Sequence, residues 1–417
     1  MAQPSFSQRQ FVTQSDAAAP VRAGERILAL DTLRGVAVGG ILLANIMVFF
    51  GLTFMPPDRI AALPTAAVDR VVEFLERVFV DGKFYSVFSL LFGIGFGLQI
   101  TRGGEAALPR FRRRLRILLG IGAIHAFFIW AGDILMLYAL LGFTMPWFAR
   151  KSNRDLLKWS MILFAIPTAL YIVALAVWMV VGRGASPAGA GQGLPPAILR
   201  YFEAIGTGGF KDAFIGNLVF LAGRWADLFT TVRFPKVLGM FVLGLWTVRT
   251  GIALSPADHR PVLKRWAVRG WGIGLPANLI AAWSLDHWPY LPPSVGGLLG
   301  VVMQAIGVPM LALGYASTVA LLVVGGRPFI TVFAPVGRMA LTNYLMHSLI
   351  CVTLSYGFGF GMWWHTGAAR AMAIAFLIIA VQIPLSAWWL SQFRYGPVEW
   401  VWRRLTYRRP LEMRRAA

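Results

Sequence analysis

Runs of about 20 apolar residues recur along this chain, and nothing else in it restricts the fold so tightly. "GVAVGGILLANIMVFF" from Gly35, "LLGVVMQAIGVPMLALGYASTVALLVV" from Leu298 and "AMAIAFLIIAVQIPLSAWWL" from Ala371 are examples. A helix rising 1.5 Å per residue needs about 20 such residues to cross a hydrocarbon core of about 30 Å. Only 14% of the 417 residues are charged, where soluble domains hold about 25%. The reading is an all-α, polytopic membrane helix bundle. About ten spans are expected, at 31–52, 84–101, 113–130, 134–149, 157–181, 236–250, 266–284, 297–323, 338–356 and 371–391. Trp147, Trp159, Trp283, Tyr290 and Trp363 fall near span ends, as an interfacial aromatic belt requires.

The formal net charge of +21 would suggest nucleic acid in a soluble chain. In a bundle it follows from the excess of Lys and Arg in cytoplasmic loops, so no nucleic-acid partner is expected. With both termini in the cytoplasm, 28 of the 39 Lys and Arg residues fall inside and 11 outside. That places the chain in a bacterial-type inner (plasma) membrane with the lipid bilayer as its partner. Cys351 is the one cysteine, which excludes an intrachain disulfide. Residues 1–25 read as a polar tail without a signal peptide. The expected organisation is a membrane bundle over 26–182, a linker with an outer-surface amphipathic helix over 183–235, a second bundle over 236–393 and a basic interfacial tail over 394–417. No internal repeat is evident.

Charged and polar groups inside spans carry the functional information, because each costs about 2.5–3.5 kcal/mol at the bilayer centre without compensation. Asp31 and Arg34, three residues apart, share a face near the cytoplasmic entrance, as a structural ion pair or as part of a substrate site. Asn45, Asp81, Lys83, His125 and Asp133 come to similar depth in the outer half, with Asp81 and Lys83 expected to contact substrate and Lys83 to help Asn45 steady a developing oxyanion. His125 could act as a general base if a carboxylate oriented its ring. Eight residues of one helix would hold Asp133 about 12 Å from it, so only a break at Gly132 or a neighbouring helix could join them. The bland alternative is a backbone bond for His125 and a helix cap for Asp133. Arg338, Asn343 and His347 lie on the ninth expected helix, as interhelical hydrogen-bonding groups or further substrate contacts. Arg112, Arg113, Arg114 and Arg116 form a cytoplasmic basic cluster, suited to anionic lipid or a phosphorylated co-substrate. Glu399 and Arg403 are spaced for a helical ion pair. No metal-ligand spacing, phosphate loop or nucleophile elbow is present in the sequence.

Several blocks together, "RILALDTLRGVAVGGILLANI", "DGKFYSVFSLLFGIGFGLQ", "RRRLRILLGIGAIHAFFIWAGDILMLYALLGF", "VGRMALTNYLMHSLI" and "GPVEWVWRRLTY", stand in the order seen in the YeiB-like family of multi-pass membrane proteins. The chain resembles that family over about residues 26–408; the family's C-terminal half is a domain of unknown function (four-eighteen). The family pattern has glutamine where this chain has His347. The opening block is also similar to that of transmembrane acyltransferases such as heparan-alpha-glucosaminide N-acetyltransferase. That resemblance implies an acyl group passed from cytoplasmic acyl-CoA to an extracytoplasmic sugar or lipid hydroxyl, with Asn45 at a polar active-site position. The loop histidine expected after it is absent from "MVFFGLTFMPPDR", leaving His125 to replace it. The expected roles are then His125, Asp133 and Asn45 catalytic, and the 112–116 arginines binding acyl-CoA, with no covalently bound cofactor. Two other function classes use the same residues: a transporter or lipid carrier, and a non-catalytic structural or regulatory membrane protein.

Overall fold

The computed structural model describes residues 27–181 and 195–415. In chain order the helices are α1 (Leu28–Phe49), α2 (Pro57–Ala61), α3 (Ala66–Phe79), α4 (Lys83–Gly103), α5 (Leu108–Phe128), α6 (Leu135–Gly142), α7 (Met145–Ala149), α8 (Asn153–Val181), α9 (Pro196–Thr207) and α10 (Phe210–Thr230). They continue with α11 (Arg233–Arg249), α12 (Arg260–Arg269), α13 (Leu275–His287), α14 (Val295–Val324), α15 (Pro328–Thr331), α16 (Ala334–Arg338), α17 (Ala340–Ser355), α18 (Ala368–Gln392) and α19 (Pro397–Tyr407). Among the described residues, β structure is limited to a single bridge between Phe393 and Arg414.

Five helical stretches are long and apolar enough to cross a bilayer: Leu28–Phe54, Ala66–Phe128, Asn153–Val181, Val295–Val324 and Ala368–Gln392. A sixth arises if α10 and α11, bent by 70°, count together. Every one of the ten expected segments is helical. Two are nevertheless short or broken: α17 has 16 residues, and the fourth expected span breaks into α6 and α7, whereas α12 and α13 run on as one helix through a π-helical turn at Gly270–Gly274. At 1.5 Å per residue, 16 residues reach about 24 Å, less than a hydrocarbon core. The expected tail 1–25 and most of the Gly/Pro/Ala linker lie outside the described residues.

Helix α1 runs through the centre, with 72% of its most apolar window buried, while α8 and α18 lie outermost at 28%. Leu170, Val173, Val177 and Val180 on α8, and Phe376, Leu377 and Val381 on α18, stay exposed. An apolar face of that extent suits lipid. Burial in lipid gives helices no hydrophobic drive to associate, so close approach through small residues matters more. Helix α1 crosses α16 where a Cβ on Gly35 would strike the Phe333 carbonyl and one on Gly337 the Asp31 carbonyl. Helix α4 crosses α11 in the same way, through Gly93 and Gly244. Helix α1 therefore packs against C-terminal elements α14, α16, α17 and α18 as well as α4, and the two halves of the chain interleave.

Helix α2, before α3, and helix α9, in the expected linker, are elements the sequence did not announce. Helix α3 occupies the connection before the second expected span. Helix α10, expected on the outer surface, buries Ala213, Gly216, Asn217, Phe220, Leu221 and Leu228 against α5 and α9.

Candidate functional site

The last turn of α5 carries His125, and the chain then breaks at Ile129–Ile134 before α6 begins. The break has local causes. Trp130 turns its ring over Gly132, where any Cβ would collide with it, and Gly122 leaves room for the start of α6. Asn217 of α10 pins the turn by accepting the Ala131 amide at 2.7 Å and donating to the Ala126 and Phe127 carbonyls at 2.9 and 3.2 Å.

The fold-back closes the 12 Å gap anticipated for a straight helix. Asp133 Oδ1 accepts the Met136 amide at 2.8 Å, capping α6, and Oδ2 stands 2.8 Å from His125 Nδ1. His125 Nε2 faces Ser348 Oγ of α17, also at 2.8 Å. His125 is 1% exposed, Asp133 7% and Ser348 0%, so all three are withdrawn from solvent. A carboxylate can only accept, which puts the imidazole proton on Nδ1 and leaves Nε2 to take the Ser348 hydroxyl proton. Those are the roles that convert a serine hydroxyl into a nucleophile. Tyr344 lies against the imidazole with ring centroids 5.3 Å apart, and Trp130 presents its edge at 6.3 Å. The Trp130 indole N–H is buried without a hydrogen-bond partner.

Sequence reasoning missed Ser348 and Asn217. A serine inside a helix ordinarily bonds back to its own helix, so "MHSLI" carries no signal of its own. Asn45 is half-buried on the α1 stripe between Ile41, which packs with Leu118, Leu135 and Tyr344, and Phe49, which stacks on Trp130 at 3.9 Å. It therefore sits one helical turn from residues touching the His125 surroundings.

The other expected site residues disperse into separate clusters. Asp31 and Arg34 pair at 2.8 Å. Lys83, 2% exposed, donates to the Arg77 carbonyl at 2.5 Å and so closes the end of α3 instead of facing His125. Asp81 is half-buried within electrostatic reach of Lys83, Tyr85, Arg233 and Lys236. Arg338 lies on α16, against α1. Asn343 donates to the Val336 carbonyl at 3.2 Å and Ser386 Oγ at 3.1 Å, while His347 Nε2 meets Gln382 Oε1 at 2.6 Å. These join α17 to α16 and α18. In the basic cluster, Arg113 donates to the Thr406 carbonyl at 3.2 Å and Arg114 stacks over Trp402 at 4.2 Å, leaving Arg112 and Arg116 exposed. Glu399 does not serve a helical pair with Arg403. It accepts the Leu341 and Thr342 amides at 2.6 and 3.1 Å and the Thr342 hydroxyl at 2.6 Å, because the first turn of α17 has no other acceptor for those donors. Among the described residues, no three His, Cys, Asp or Glu side chains gather as a metal set.

Comparison with known proteins bears on lineage. The chain is 30% identical over 411 residues to the uncharacterised protein YxaH of Bacillus subtilis strain 168, across 93% of this chain and 96% of that one. It is 32% identical over 404 residues to the uncharacterised protein YeiB of Escherichia coli strain K12, across 92% and 97%. This chain belongs to the YeiB-like DUF418 family. The DUF418 model, described as a protein of unknown function, matches residues 247–409. An uncharacterised 39.9 kDa protein in the amylase 3' region of Bacillus acidopullulyticus is 28% identical over 396 residues, across 94% and 96%. No solved structure matches the chain. The DUF418 segment supplies Ser348 and Glu399, whereas His125 and Asp133 come from the chain before it, so the triad joins the two.

Proposed function

We propose that this DUF418 protein is a membrane-embedded acyltransferase in which Ser348, His125 and Asp133 form the acyl-transfer centre. The observation that carries this reading is the continuous Ser348–His125–Asp133 hydrogen-bond chain. Ser348 Oγ attacks the carbonyl carbon of an acyl thioester while His125 Nε2 takes its proton. Collapse of the tetrahedral intermediate expels the thiolate, which leaves with the proton from His125, and the acyl group stays on Ser348 as an ester. An acceptor hydroxyl of a glycan or lipid then attacks that ester, giving its proton to His125, which returns it to Ser348. Asp133 holds the imidazole tautomer throughout. Asn45 is assigned to the developing oxyanion.

The donor is acyl-CoA, with no covalently bound cofactor, and its phosphates dock at exposed Arg112 and Arg116. Nine residues of helix place Arg116 about 14 Å from His125, within reach of an extended thioester arm. The topology assigned to this reading is ten crossings in an inner membrane with both termini cytoplasmic, supported by the 28 to 11 division of Lys and Arg. Asp31, Arg34, Asp81, Lys83, Arg338, Asn343 and His347 are not assigned to the acceptor. The test is incubation of the purified chain with radiolabelled acetyl-CoA. Label should remain on denatured wild-type protein and vanish in Ser348→Ala. Absence of label, or undiminished label in both Ser348→Ala and His125→Ala, would sink the proposal. The complete enclosure of the three side chains favours a second reading, a carrier in which they relay protons. It predicts no covalent adduct.

A further inference from the structure

A second polar cluster surrounds the bend between α10 and α11. The two helices meet at 70°. Val232 between them takes φ +50°, a costly conformation for a β-branched residue. The bend starts α11 afresh, so its first-turn amides lack intrahelical partners and its positive dipole end faces the break.

Three cations converge there. Asp227 is shared by Arg224 at 2.9 Å and Arg233 at 3.3 Å. The Arg224 Nε is buried and makes no hydrogen bond. Lys236 donates to Gln304 Oε1 at 3.2 Å, an oxygen that also accepts from the Tyr290 hydroxyl at 3.0 Å. Lys236 and Gln304 line a narrow cleft of about 20 Å³ together with Tyr85, Ser86, Phe164 and Pro309, room for a water-sized group. Asp81 stands within electrostatic reach of Arg233 and Lys236. Arg224, Arg233 and Lys236 outnumber Asp227 and Asp81, and Asp81 is shared with Lys83, so the group is net positive and the helix dipole adds to it. The Arg224, Arg233 and Asp227 side chains are 22%, 27% and 38% exposed, so an anion can reach the group at the bend. Phe229, 67% exposed, packs against Phe234 at a tilt beside the bend and provides an apolar rim.

We infer that the α10–α11 bend is a binding site for a phosphodiester, held by Arg224, Arg233 and Lys236. Paired guanidiniums present forked donors that match phosphate oxygens, and the net positive charge suits an anion. The source is an anionic phospholipid headgroup or a soluble phosphodiester. Tyr344 lies within electrostatic reach of both Asp133 and Arg224, so this site neighbours the triad, yet its occupancy does not depend on acyl transfer.

The experiment is native mass spectrometry of the full-length protein in detergent, titrated separately with phosphatidylglycerol, phosphatidylcholine and glycerophosphoglycerol. Phosphatidylglycerol should bind at least tenfold more tightly than phosphatidylcholine. Arg233→Gln and Lys236→Gln, checked for monodisperse elution, should each lose most of that preference, and Arg233→Lys should restore part of it. His125→Ala and Ser348→Ala should bind as wild type, which separates this site from the acyl-transfer reading. Equal binding of the soluble diester would support the site and name the free molecule as its source. Equal retention of both lipids by wild type with no binding of the soluble diester, or unchanged preference in both Gln variants, would overturn it. Thermal stabilisation of the wild-type chain by phosphatidylglycerol over phosphatidylcholine provides a second measurement that needs no variant.

Discussion

Asp133 serves two masters through its two oxygens, the α6 amide at Met136 and the His125 ring. Asp133→Asn keeps the cap oxygen but offers the imidazole a donor where it had an acceptor. The wrong tautomer then faces Ser348, and acylation should fall by about 10³–10⁴ with the melting temperature little changed. Rapid-quench measurement of label transfer from acetyl-CoA checks this, and retained acylation in Asp133→Asn would remove Asp133 from the chemistry. His347, by contrast, works as a helix-to-helix bond. Its hydrogen bond to Gln382 can be made by another amide, so His347→Gln should stay within about 1 kcal/mol of wild type in thermal melts. Gln382→Leu strands His347 and should cost about 1–2 kcal/mol more. A His347→Gln variant that unfolds in detergent would contradict this account. At this scale the sequence named His125 and Asp133 because titratable groups are costly in apolar runs. It was silent on Ser348, whose hydroxyl becomes informative only when α17 is laid beside α5.

Helix starts in this bundle are closed by carboxylates brought from other elements. Asp69 of α3, bonded to the Thr65 hydroxyl at 2.6 Å, accepts the Ala369 amide at 2.8 Å in the first turn of α18. Glu399 does the same for α17, and Gly396 leaves it the room. Burial holds the Glu399 carboxyl above the usual carboxylate range, opposed by its bonds from the Thr342 hydroxyl and the Thr342 and Leu341 amides. A pKa higher in the folded chain means that the folded chain keeps its proton longer. Rising pH through the unfolded carboxylate range, about 4–5, therefore favours unfolding. The stability of wild type relative to Glu399→Gln should fall as pH rises from 4 to 7, and parallel melts across that range measure it. Glu399→Ala strands three donors and should cost about 1–3 kcal/mol at every pH. A pH-independent difference between wild type and Glu399→Gln would show that burial does not govern this carboxyl.

At the scale of the whole molecule, the interleaving of the two halves makes α1 the common wall of the bundle, with apolar α8 and α18 outermost. The charge division then predicts the sidedness. Green fluorescent protein fused after Ala417 should fluoresce, and alkaline phosphatase fused there should be inactive. Phosphatase inserted in the 183–195 region should be active. The reverse pattern would invert the topology and place the Arg112–Arg116 cluster on the side without CoA.

The apolar runs and the distribution of Lys and Arg determined on their own that this chain is helical and suited to a bilayer. Both are properties of composition along a line, and a membrane filters chains on that basis. The count of complete crossings was less legible, because a segment such as α17 is helical by local pattern yet shorter than a hydrocarbon core. The meeting of Ser348 with His125, the gathering of Arg224, Arg233 and Lys236 at a bend, and the use of Asp69 and Glu399 as remote caps belong to the tertiary structure. Each depends on where a helix breaks and which glycine allows another to approach, and hydrogen bonds between residues far apart in the chain exist only after those approaches are made.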